Sequence, residues 1–182
     1  MMWRMTPARE KKILSVLSRR QQDLAVILEN VDDPHNIGAI LRSCDAFGVG
    51  TVHLLYTKGK APRMSELRTK AAASALKWLT VEKWDALPKL LKELKKRKQM
   101  VAVTALTGKA KEPAKTDLTV PLAIALGNEH DGVSKALVKA AQINLRIPMY
   151  GFVQSFNVSV AAALILYDAA CQRAEKGLYS KG

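Results

Sequence analysis

The sequence predicts an α/β domain with a mostly parallel sheet and helices on both faces. Apolar runs of strand length alternate with stretches of helical periodicity. The runs are apolar at successive positions, as strands covered on both faces are. Three of them end in polar loops, at 30–36, 127–132 and 149–157. In open α/β sheets such strand ends share one edge, and ligands bind outside it. The 182 residues suffice for one well-cored domain, here with a basic extension.

Residues 7–20 have helical periodicity, with Ile13, Leu14, Val16 and Leu17 as an apolar stripe among Arg9, Lys11, Lys12, Arg19 and Arg20. The stretch reads either as a helix packed on the domain or as a phosphate-binding arm. Leu24–Leu28 is strand-like, residues 30–36 are turn chemistry, and residues 37–47 form a helix with Ile37, Ile40, Leu41 and Cys44 on one side. Thr51–Tyr56 completes a βαβ unit. A polar segment follows with Lys58, Lys60, Arg63, Arg68 and Lys70, a candidate basic loop. A strand is expected near Lys77–Val81, a helix from about Trp84 to Lys98 with Leu87, Leu90, Leu91 and Leu94 inside, and a strand at Met100–Ala105. After a Lys/Pro/Thr loop come the strand Pro121–Leu126, a short helix over 133–141 and the strand Ile143–Ile147. Pro148 and Gly151 then break the pattern, and a long helix begins near Asn157 or Ser159, either of which can cap it.

Lys plus Arg number 29 against 16 Asp plus Glu, a net charge of +13. An excess this large in a chain this short favours a polyanionic partner, since each neutralised phosphate releases condensed counterions. Cys44 and Cys171 sit in helical patterns, and no Cys/His cluster has metal-ligand spacing, so a reduced cytoplasmic setting and no metal are expected. No apolar run approaches the ~20 residues of a membrane span, and the basic start lacks the apolar core of a signal peptide.

Known nucleotide-hydrolysing and acyl-transfer signatures are missing. Residues 127–132 lack Gly-x-Gly-x-x-Gly spacing, no Gly-Lys-Ser/Thr occurs, and Ser155 lies on no Gly-x-Ser-x-Gly elbow. Asp32 and Asp33, before Pro34, read as turn residues. Arg42, in an otherwise apolar helix, reads by itself as a surface arginine.

Together the three loops say more. Asn30 to Arg42, Leu126 to Ser134, and Ile147 to Ser159 resemble, in order, the three motifs of the SpoU (TrmH) family of SPOUT RNA 2'-O-ribose methyltransferases. The resemblance covers about Asp23 to Gly177. Within the family, residues 19–24, Val153–Ser155 and 172–179 are most similar to enzymes that methylate a guanosine of the tRNA D loop. Phe156 stands where leucine is usual, and relatives often extend past Tyr179 with RNA-binding residues.

The resemblance implies a deep trefoil knot in the sheet, a homodimer, and S-adenosylmethionine as methyl donor. Its expected division is an arm at 1–22, a methyltransferase domain at 23–170 and a basic tail at 171–182. Residues 158–170, apolar on nearly every face, independently suit burial against a partner chain. Thr104, Gly127, Ile147, Phe156 and Ser155 are the implied donor-site residues, and Arg42, Asn36, Glu129 and Asn157 the implied catalytic set. Arg9, Lys11, Lys12, Arg19, Arg20, Arg63, Arg68 and Lys70 are the candidate tRNA contacts.

A sulfonium methyl is already activated, so such an enzyme mainly aligns oxygen, carbon and sulfur and handles one proton. The family assigns that proton to the arginine matching Arg42. A guanidinium holds its own proton firmly, so the alternative is that Arg42 stays charged, grips the adjoining phosphate and stabilises the forming alkoxide. Asn36 is either a helix cap or the group that positions Arg42 or the phosphate, and Asn157 either caps its own helix or completes the motif. Two rival readings stand beside this one: the same chemistry on rRNA or the tRNA anticodon, and a non-enzymatic basic RNA-binding module.

Overall fold

The computed structural model describes residues 6–67, 74–105 and 110–179. Arg68 and Lys70 of the expected basic loop lie outside these residues. Eleven regular elements follow the predicted alternation. They are α1 (Pro7–Ser18), β1 (Gln21–Glu29), α2 (Pro34–Ala46), β2 (Val49–Leu55), β3 (Thr80–Trp84), α3 (Leu87–Lys96), β4 (Met100–Thr104), β5 (Leu122–Leu126), α4 (Lys135–Ala140), β6 (Ile143–Leu145) and α5 (Val158–Glu175). The six strands form one sheet in the order β3-β2-β1-β5-β4-β6, and every pairing is parallel.

The alternation of side chains along β1 divides the core between two faces. Leu24, Val26 and Leu28 pack with Ile37, Ile40, Leu41 and Cys44 of α2 and with Ala162, Ile165, Leu166 and Ala169 of α5. Ala25 and Ile27 pack with Leu90 and Leu94 of α3 and Leu137 of α4. Each such Leu or Ile, fully out of water, contributes roughly 1.5–3 kcal/mol of transfer free energy. Leu87 and Leu91, expected inside, are half-buried at the margin of α3.

Two helix starts differ from the periodicity, both because of proline. Pro34 occupies the first turn of α2, so the helix begins three residues before Ile37, with Asp33 as cap accepting from His35 N at 2.8 Å. Pro88 likewise holds the first turn of α3, which therefore begins at Leu87 rather than near Trp84. Trp84 closes β3 instead, its indole Nε1 donating to His53 Nδ1 of β2 at 3.1 Å. Lys77, expected in that strand, ends a short 3-10 turn over Ala75–Lys77.

The expected division at 22/23 falls inside β1, and that at 170/171 inside α5. Arg173, assigned to a basic tail, is fully buried. It donates to Asp23 Oδ1 at 2.7 Å, Gln21 Oε1 at 3.0 Å, and the carbonyls of Leu118 at 3.1 Å and Val120 at 2.7 Å. A buried guanidinium is tolerated only with such a set of partners.

Candidate active site

Parallel pairing brings the C-terminal ends of β1, β5, β4 and β6 to one edge, and a cleft of about 640 Å³ opens there. Of the expected site residues, Thr104, Gly127, Glu129, Ile147, Ser155, Phe156 and Asn157 line it. Leu126, Leu145 and Ala161 add apolar wall, while Asn128, His130 and Asp131 add polar rim.

Gly127 is required by close approach. A Cβ built on it would stand 2.0 Å from Gly132 C and 2.2 Å from Val133 N, so the loop folds back on itself only over a bare Cα. The fold-back is held by Asn128. Its carbonyl accepts from Gly132 N at 2.8 Å, and its side-chain oxygen accepts from His130 N at 2.8 Å.

Asn36 stands behind the cleft wall, at 9% exposure, and joins the other two loops. Its Nδ2 donates to Glu129 Oε1 at 2.6 Å, and its Oδ1 accepts from Asn157 Nδ2 at 3.0 Å. Capping of α2 belongs to Asp33, so Asn36 has no capping role. Asn157 has two roles, because its Oδ1 caps α5 by accepting from Ser159 N at 2.8 Å.

A second clasp, not singled out by sequence reasoning, lies at the end of β1. Glu29 is 2% exposed, and its Oε2 accepts from Ser134 N at 2.7 Å. Asn30 sits at φ 51°, where Asn is among the more tolerant side chains. Its carbonyl accepts from Asn128 Nδ2 at 2.9 Å, and its Oδ1 accepts from Thr57 N at 3.0 Å and Lys58 N at 3.1 Å. A carboxylate closing the apolar run Leu24–Leu28 was the available signal for Glu29.

Charge is distributed unevenly around the cleft. Lys58 Nζ meets Asp131 Oδ2 at 2.9 Å, and that hydrogen bond holds the Asp131 carboxyl below its usual range. Burial, with Asp32 and Glu129 nearby, pushes the Tyr56 phenol up; its hydroxyl donates to the Val31 carbonyl. Among the described residues no cluster of His, Cys, Asp or Glu is placed to hold a metal ion, and no helix is long and apolar enough to cross a membrane.

Arg42 is exposed on α2, outside the cleft lining, with no ion pair among the described residues. Arg9, Lys11, Lys12 and Arg19 are exposed on and just after α1, and Arg63 is exposed beside Glu66. Arg20 corrects the expectation. It is 7% exposed, ion-paired with Asp45 and donating to Val49 O at 3.2 Å, so its guanidinium is committed inside the fold rather than offered to phosphate. The apolar stripe of α1 is uncovered, with Leu14 60% and Leu17 47% exposed.

The sequence from residue 23 to 167 matches the model of the SpoU rRNA methylase family. The chain belongs to this family. Among SpoU-family proteins it is 43% identical over 176 residues to the tRNA (guanosine(18)-2'-O)-methyltransferase of Thermus thermophilus, covering 97% of this chain and 89% of that one. The crystal structure of the Aquifex aeolicus TrmH/SpoU tRNA modifying enzyme superposes with a TM-score of 0.86 at 39% identity, over 95% of this chain and 86% of that one. The SpoU methyltransferase AviRb from Streptomyces viridochromogenes, in complex with the cofactor AdoMet, superposes with a TM-score of 0.76 at 26% identity, over 89% of this chain and 65% of that one. Membership makes the chain an S-adenosylmethionine-dependent RNA methyltransferase.

Proposed function

We propose that this protein is a tRNA (guanosine-18) 2'-O-methyltransferase, moving a methyl group from S-adenosylmethionine to the ribose of a D-loop guanosine. One observation carries the reading. A cleft walled by two of the family motifs, with Asn36 of the third bonded to both, stands at the strand ends of a chain 43% identical, along nearly its whole length, to an enzyme so named.

The cleft fits the donor. Its volume is in the range of about 300–1,000 Å³ usual for nucleoside-sized ligands. Its polar floor is backbone at Gly127, and Leu126, Leu145, Ile147 and Phe156 supply surface for an adenine ring. When bound, the donor supplies a sulfonium methyl whose C–S bond breaks as the bond from the ribose oxygen to carbon forms. Thr104, Ser155 and the 127–132 loop hold and orient it.

Arg42 is exposed, so its guanidinium keeps its contact with water. The reading that follows is the charged one: Arg42 grips the phosphate beside the target ribose and stabilises the alkoxide as the 2'-hydroxyl loses its proton to solvent. Asn36, Glu129 and Asn157 hold the two loops in register for that approach. Arg9, Lys11, Lys12, Arg19 and Arg63 contact the tRNA backbone, outside the cleft.

A second copy of the chain completes the assembly. Val160, Leu164 and Tyr167 form an outward stripe on α5, 40–57% exposed, and the stripe of α1 is open as well. Two such surfaces on one chain suit a homodimer interface. The trefoil knot goes with the same reading, supported by a strand order in which β5 is inserted between β1 and β4. A cytoplasmic location follows from the substrate.

Radiolabelled methyl transfer to a tRNA transcript, with mapping of the modified nucleotide, tests the function. Label in the ribose at guanosine 18 is expected. Label elsewhere, or none while donor binding is intact, overturns it.

A further inference from the structure

The loop between β6 and α5 carries two fully exposed aromatic rings: Tyr150 is 97% and Phe152 107% exposed. No hydrogen bond or ring contact holds either one among the described residues. The same loop builds the cleft. Met149 precedes Tyr150, Gln154 and Ser155 follow Phe152 closely, and all three line it. The rings therefore stand at the mouth of the donor site and not on a remote face.

Their surroundings are cationic. Lys115 is near enough to Tyr150 for the two to interact electrostatically. Arg146 lines the cleft and is joined to the neighbouring turn, its N–H donating to Lys111 O at 2.9 Å. Among the described residues the acids near Lys111, Lys115 and Arg146 are already engaged: Glu112 with Lys115 at 2.8 Å, Asp117 with Lys176 at 3.5 Å, and Glu129 and Asp131 of the cleft rim with Asn36 and Lys58. The open stripe of α5, by contrast, is Val160, Leu164 and Tyr167, neutral and on a different element. Rings set among cations suit a nucleic acid, whose bases stack while its phosphates are neutralised.

We propose that Tyr150 and Phe152 are the stacking platform for the base of the target nucleotide. The inference rests on the tRNA reading above and adds the site that receives the base. A ribose presented at the cleft must bring its base to the mouth, and in a folded tRNA that base has to leave its own stack. Rings waiting there restore the lost stacking without reading sequence, because every base has an apolar face. Discrimination of the nucleotide then falls to the tRNA's shape and to polar groups at the rim, while the rings set how well an extruded base is retained.

The test compares wild type, the double variant Tyr150→Ala/Phe152→Ala, and the aromatic double variant Tyr150→Phe/Phe152→Tyr. Kinetics on the tRNA transcript are measured beside calorimetric titration with S-adenosylmethionine and sedimentation velocity. The alanine pair is expected to raise the tRNA KM by about 10-fold or more, the scale of ring-base stacking. The aromatic pair should remain within about threefold of wild type, and donor affinity and sedimentation should not change. A transcript with 2-aminopurine at the target position should be quenched by wild type and by the aromatic pair, and left bright by the alanine pair. An unchanged tRNA KM and an unchanged quench in the alanine pair overturn the platform. So does a slower-sedimenting alanine variant, which would show that the rings cover a second copy. A wild type that binds donor but leaves tRNA unlabelled overturns the functional reading, and the platform with it.

Discussion

Asn36 Nδ2 lies 2.6 Å from Glu129 Oε1, a charge-assisted bond between two loops 93 residues apart. The Asn36 amide is oriented by its second bond, from Asn157 Nδ2 at 3.0 Å, so the contact sets the relative position of all three motif loops.

Replacing Asn36 by Ala removes its bonds to Glu129 and Asn157, two exposed side chains that water can then solvate, which costs about 0.5–1.5 kcal/mol of stability. The larger effect is expected in the cleft, as a fall in donor affinity of about 10-fold, read by calorimetry. A variant that binds donor normally and turns over at the wild-type rate would leave the bond a structural role only.

Arg42→Ala is expected to abolish methyl transfer while donor affinity stays intact, since Arg42 does not line the cleft. Arg42→Lys separates the two roles. A charged stabiliser tolerates lysine at a loss of about 10- to 100-fold, because the ammonium keeps the charge and loses the fork. Loss of donor binding in either variant contradicts this placement.

Gly127→Ala puts a methyl group 2.0 Å from Gly132 C, and backbone must move to admit it. A stability loss of about 1–3 kcal/mol in urea and a fall in donor affinity of at least about 10-fold are expected. Wild-type donor affinity in a folded Gly127→Ala protein would mean that the donor does not rest on this loop.

His53, wholly buried in β2, has its pKa lowered to about 4, first by burial and further by Arg97, with Glu82 opposing. The charged and titratable groups facing it are Glu82 of β3, Glu93 of α3 and Arg97 just after it. A folded pKa below the unfolded value of about 6.5 means that folding favours neutral imidazole. The stabilisation is complete above pH 6.5 and is lost as pH falls towards 4, by up to ~3 kcal/mol. His53→Gln keeps an acceptor for the Trp84 indole and should flatten the pH dependence of urea unfolding across that window. An equal slope in both proteins would place the acid sensitivity in the carboxylates.

Arg173→Met should destabilise the protein by about 3–5 kcal/mol, since Asp23, Gln21 and two carbonyls lose their donor together. Urea unfolding checks this, and a loss below 1 kcal/mol would show that water replaces the guanidinium.

Strand order along the chain, helix alternation and the three loops were legible in residue patterns because each depends on neighbours in sequence. Helix starts were less so: Asp33-Pro34 and Leu87-Pro88 read as breaks until a cap or a first turn gives proline a place. Arg20 and Arg173 were read as surface cations because their carboxylate partners lie 25 and 150 residues away. The Glu29–Ser134 bond spans 105 residues and was hidden for the same reason. Convergence of the cleft residues followed from parallel topology, whereas the close approach at Gly127 needed coordinates.

The central position of β1 also dictates when the protein can finish folding. β1 leaves the ribosome early, yet its neighbour β5 pairs Leu24 with Leu122, about a hundred residues later, and the Asp23 ion pair waits for Arg173. At ordinary synthesis rates of about 5–20 residues per second, a strand apolar on both faces has one open edge for roughly 5–20 s. The face that α5 covers is still open then, because α5 arrives later still. A newborn chain is thus sticky until its final long helix emerges, and its yield in the cell depends as much on what shelters that edge as on the stability of the finished molecule.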